Sequence, residues 1–113
     1  MPKSEFTAVE ILANGMLSAS GTTDPPPKGE GGAGAARETH LHVAVVQDGH
    51  VSRLDGVAPR PNPTTWSLVG NANGIEKGKE AQVLGLAVQL RHWHGGIAFE
   101  TFTWTGTLAV KGC

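Results

Sequence analysis

Histidine recurs at alternate positions twice in this chain, as His40-Leu41-His42 and as His92-Trp93-His94. Residues i and i+2 of a strand point the same way, so each pair can offer two imidazoles to one ion. All four together would complete a tetrahedral zinc site. Leu41, Val43 and Val45 form the more apolar side of the first stretch, which places His40 and His42 outside. His92 and His94 instead continue the line of Leu84, Leu86, Val88 and Leu90, which is expected to face a core. The two pairs are therefore expected to face different ways, the first solvated and the second capping the core at a hairpin end. A metal site on His40, His42, His92 and His94, or weak binding by one pair, stands as an alternative reading, and the leading one requires no cofactor.

Other reactive arrangements are missing. The sequence has no nucleophile elbow, no phosphate-cradling glycine loop leading into a helix, no metalloprotease helix and no calcium loop of alternating acids. Cys113 is the single cysteine and the last residue, so no internal disulfide forms, and a terminal nucleophile cannot hold near-attack geometry. Glu10, Glu38 and Glu100 are dispersed among predicted strands, so spacing signals no paired acid and base. The expectation is a protein that is not an enzyme.

Nine Lys and Arg against ten Asp and Glu, spread without a cluster, lack the basic footprint of a nucleic-acid binder. The N-terminus lacks the apolar run of a secretory signal, and no stretch approaches the roughly 20 apolar residues of a membrane span. The expectation is a chain made in the cytoplasm, with neither nucleic acid nor membrane as partner. Its 113 residues suit one domain, 1–113, with one core.

Three stretches read as loop. Gly21 to Ala36 combines three prolines with many glycines and is expected to be a flexible arm. Pro59-Arg60-Pro61-Asn62-Pro63 favours an extended connector, and Asn71-Ala72-Asn73-Gly74 a turn tolerant of positive φ. Between them, apolar and polar residues alternate with the period of half-buried strands. Glu5 to Ala13 and Met16 to Ser20 read as a first strand broken at Asn14-Gly15. His40 to Gln47 and His50 to Gly56 flank Asp48-Gly49, a pair suited to a two-residue turn with positive φ at both positions. Thr64 to Val69 gives a short strand around Trp66. Ala81 to Trp93 and Ile97 to Val110 form a long hairpin across Gly95-Gly96, and no segment reads as a helix.

Thr65-Trp66-Ser67, Ala81-Gln82-Val83-Leu84-Gly85-Leu86-Ala87-Val88 and Phe102-Thr103-Trp104-Thr105-Gly106-Thr107-Leu108 together resemble small bacterial and phage immunoglobulin-like domains. The likeness covers about half the chain and is one of pattern. It implies an all-β, immunoglobulin-like β-sandwich of about seven antiparallel strands with a long Pro/Gly-rich loop, without the intersheet disulfide of antibody domains. In that topology the second and penultimate strands run parallel, which would put the histidine pairs at opposite ends. A simple meander would bring them to the same end. The pair His40 and His42 also resembles the opening of the cupin metal motif, but Val43-Ala44-Val45-Val46-Gln47 lacks the glutamate that motif requires.

In the last hairpin, Phe102, Trp104, Leu108 and Val110 are expected inward. The opposite face, with Gly85, Ala87, Gln89, Thr101, Thr103, Thr105, Thr107 and Ala109, is flat and nearly uncharged. Edge strands are usually protected by charge or proline, so a final strand this bare is expected to be covered by another chain. Trp93, with outward parity beside the turn, and Thr101, Thr103, Thr105 and Thr107 are the expected contact residues. The functional expectation is a structural module acting through protein contacts or self-assembly, most concretely an accessory or capsid decoration protein of a virion. Carbohydrate binding is a further alternative, disfavoured by the absence of tyrosine.

Overall fold

Among the described residues the alternating stretches form seven strands: β1 (Ser4–Ile11), β2 (Leu17–Thr23), β3 (Arg37–Gln47), β4 (His50–Val57), β5 (Thr65–Gly70), β6 (Glu80–Trp93) and β7 (Gly96–Gly112). The structure, a computed structural model, describes residues 4–24, 37–58, 65–93 and 96–112, with the backbone alone at Arg37, Arg91, His92 and Trp93. Most of the arm expected at 21–36, the connector at 59–63, His94 and Cys113 lie outside the described residues. The described residues contain no helix, and so none long and apolar enough to cross a membrane.

Both turns expected from positive φ form as read. Asp48 and Gly49 have φ of 48° and 79° and join Gln47 to His50, while Asn73 and Gly74 have φ of 50° and 89°. The first strand is a correction. Leu12 to Met16 is a tight connection in which the Leu12 N–H donates to the Met16 carbonyl (2.8 Å) and Gly15 sits at φ 83°. The chain therefore reverses, and β1 and β2 pair antiparallel.

The strand order is β4-β3-β6-β7-β1-β2-β5. All neighbours are antiparallel except β1 and β7, which run parallel and pair only at Val9–Val110, Glu10–Lys111 and Ile11–Gly112. The result is one mixed sheet nearly closed into a barrel, where a wholly antiparallel two-sheet sandwich was expected. Closure between β4 and β5 is made by side chains. Leu54 covers Gly70, Leu68 covers Gly56, Ser52 Oγ donates to the Asn71 carbonyl, and Asn73 Nδ2 donates to the Val51 carbonyl.

Inside lie Val9, Leu17, Leu41, Val45, Leu54 and Val110, all fully buried. Two tryptophans complete the filling, each over a glycine directly across the ladder: Trp66 on Gly21 and Trp104 on Gly85. Phe6 joins them, edge-on to Trp66 at 5.8 Å between ring centres and stacked on Trp104 at 5.4 Å. These rings occupy the space between β7 and β1 on the side where no strand pairing is made among the described residues.

At the opposite end, buried Gln47 holds the loop before β6. Its Nε2 donates to the carbonyls of Glu76 (2.9 Å) and Lys79 (3.4 Å), and its Oε1 accepts from the Glu76 N–H (2.7 Å). On the surface above, Glu76 and then Asp48 raise the pKa of the exposed Lys79 ammonium by hydrogen bonding and charge. A leucine at 47 would strand these backbone groups, so Gln47→Leu is expected to lose about 1–3 kcal/mol in urea unfolding with the circular dichroism spectrum unchanged. A loss within error would contradict this account.

The parity of β6 is the second correction. Ala81, Val83, Gly85, Ala87 and Gln89 are buried, whereas Leu84 and Leu86 point outward. Leu84 is 53% exposed. The cause is on β7, where Phe102, Trp104, Leu108 and Val110 do turn inward as expected. Residues opposite one another in an antiparallel pair share a face. Trp104 lies opposite Gly85, and Phe102 opposite Ala87, so the small residues of β6 must point in to make room for the rings.

Candidate functional site

The outer face of β4, β3, β6 and β7 is a grid set by register. One row runs Arg53, Ala44, Leu84, Thr105, and the next Asp55, His42, Leu86, Thr103. Above them lies Val51, Val46, Gln82, Thr107, and below them Val57, His40, Val88, Thr101. Phe99, 67% exposed, and Ile97 extend the apolar column toward the hairpin tip. Two open depressions mark its centre. One of about 410 Å³ is lined by Val46, Gln82, Leu84, Thr105 and Thr107; the other, about 300 Å³, by His42, Arg53, Leu84, Leu86 and Thr103.

Thr101, Thr103, Thr105 and Thr107 stand exposed in this grid as expected, and so does Ala109. Gly85, Ala87 and Gln89 do not belong to it; they are buried. Gln89 instead donates from Nε2 to the Asp24 carbonyl (2.9 Å) in a buried polar group with Thr39. The side chain of Trp93 lies outside the described residues, and the odd-numbered line that was to carry it outward is the buried one between Ala81 and Gln89. β7 is also not a terminal strand of the sheet, since it lies between β6 and β1. Sequence reasoning missed Leu84, Leu86, Phe99 and Ile97 as surface residues. The signal was available in the small residues Gly85 and Ala87, which alternate with the leucines.

The histidine geometry departs from expectation in a related way. Because β1 and β2 are separate strands, the His40 strand is third in the chain and is the antiparallel neighbour of β6. His40 and the backbone of His92 therefore lie toward the same end of the sheet. They are still staggered, since His40 lies opposite Val88 and His92 falls four residues further along β6. At about 3.4 Å per residue this offset exceeds what one ion spans. His40 Nε2 lies 2.9 Å from Glu38 and His42 Nδ1 2.7 Å from Asp55, so both rings already have carboxylate partners. Among the described residues no group of three or more His, Cys, Asp or Glu is placed to hold a metal ion.

The site is thus a low-charge sheet face with an apolar centre. Its few ionic contacts are solvated, such as Arg53 to Asp55 at 3.9 Å, and contribute little to stability. Such a face can bind by area and shape. No protein-family model, curated protein or solved structure matches this chain.

Proposed function

We propose that the chain is a non-catalytic assembly module of immunoglobulin-like build that binds protein through the outer face of β4, β3, β6 and β7. The observation that carries this reading is the outward column of Leu84 and Leu86, continued by Phe99 and Ile97, on a face nearly free of charge along β6 and β7. Contiguous exposed apolar surface of this kind is characteristic of interaction sites in small soluble domains. The immunoglobulin-like build is supported by strand order. β1-β2-β5 and β7-β6-β3-β4 follow the A-B-E and G-F-C-C′ neighbours of a variable-type domain without strand D. The most concrete form of the proposal, an accessory or decoration protein of a phage particle, rests on the sequence resemblance.

The test is co-sedimentation of the full chain with assembled phage shells, beside the variant Leu84→Glu/Leu86→Glu. Wild type is expected in the pellet and the variant in the supernatant. The two melting curves should differ by less than about 1 kcal/mol, because both side chains are outward. A wild type that pellets with no shell and stays monomeric at every concentration overturns the proposal.

A further inference from the structure

Two strands of the grid, β4 and β7, read alike in both directions apart from one exchange of charge. Read along β4, the outward residues are Val51, Arg53, Asp55 and Val57; reversing the strand exchanges the two charges and leaves valine opposite valine. Along β7 the same four rows carry threonine at 107, 105, 103 and 101, which read alike in both directions. The two inner rows of β6 are Leu84 and Leu86. A two-fold axis lying in the face, across the strands and between these rows, sets Arg53 against Asp55 of a second copy and Leu84 against Leu86 of that copy. An isologous contact requires this reciprocity.

We propose that the face is occupied by a second copy of this chain, packed antiparallel about that axis. The inference rests on the reading of the face as an interface and names its occupant. Size agrees with it. Four strands at about 4.8 Å and four rows at about 7 Å cover roughly 500 Å² of sheet plane per copy. Two copies then bury on the order of 1,000 Å², the threshold for a specific contact. The crossing of about 30° usual for aligned sheets displaces β4 by about half a row, within the reach of an arginine side chain. Arg53 is free to make that reach, its side chain being 74% exposed and its link to Asp55 within the chain long at 3.9 Å. Beyond the four rows, the same axis carries Phe99 onto the small, exposed Ala109 of the second copy.

Charge reversal separates this geometry from any other pairing. Arg53→Asp makes both charged positions of β4 acidic, and Asp55→Arg makes both basic. Each variant alone is expected to weaken self-association tenfold or more in sedimentation velocity run from about 1 μM to 1 mM. An equimolar mixture of the two is expected to return to within about threefold of wild type, as a heterodimer. A structural defect would not be rescued by mixing, and thermal melts of each variant check the fold. Monomeric wild type across the range, single reversals that associate like wild type, or a mixture that fails to recover each overturn the proposal. A wild type that is monomeric yet pellets with shells through Leu84 and Leu86 would remove the second copy and keep the interface.

Discussion

Trp66→Ala is expected to lose about 3–5 kcal/mol of stability, read as a fall in Tm of more than about 10 °C. Trp66 is 3% exposed and is the ring on which the two halves of the barrel meet. It covers Gly21 across the ladder and stands edge-on to Phe6 and to Trp104, 6.2 Å away. Alanine removes the ring and leaves a cavity that neighbours on three strands cannot all collapse into. Trp66→Phe is expected to cost far less, about 1 kcal/mol, because the buried Trp66 Nε1 has no hydrogen-bond partner among the described residues, and its removal offsets part of the lost area. Equal losses for the two variants would show that the ring's bulk is not what holds this region.

Gly21→Ala is the second large effect, expected at about 3 kcal/mol for the addition of one methyl group. A Cβ at this position would overlap the Glu5 backbone carbonyl and lie 2.5 Å from the Trp66 ring. One obstacle is a side chain and the other is the β1 backbone, so repacking alone cannot clear the site. For that reason the loss is expected to persist in the Trp66→Phe background, where the ring is smaller but the carbonyl is unmoved. At Gly85 the atoms nearest an added Cβ all belong to the Trp104 ring, the first at 2.5 Å, so Gly85→Ala serves as the milder control. Urea unfolding of the single and double variants checks both points, and rescue of Gly21→Ala by Trp66→Phe would place the conflict in the side chain instead.

The all-β character was legible because period-two burial is strong in β3, β4 and β7, and because Asp48-Gly49 can do little else but turn. Asn14-Gly15 carries a similar message, yet by composition alone it also fits a break within one strand. The reversal there depends on Asn14 Oδ1 accepting the Met16 N–H (3.0 Å), a contact that composition does not announce. Missing that turn shifted the strand count by one and moved the histidine pairs to opposite ends. The β6 face is ambiguous in sequence for a different reason: both of its sides are apolar, and size alone favours burying the leucines. The hairpin itself holds the remedy, since a pairing that sets Trp104 opposite Gly85 obliges the two strands to send opposite parities inward. The threonines of β7 were legible as surface because they alternate with aromatic residues. Leu84 and Leu86 were not, because volume matching across strands, and not hydrophobicity along one strand, decided their side.

The three residue pairs joining β1 to β7 also have a mechanical consequence. The two strands run in the same direction, so tension applied before Ser4 and after Gly112 draws them past each other lengthwise. Hydrogen bonds loaded in this way must yield together and not one after another, which makes this three-pair join stiffer along the line of pull than its shortness suggests.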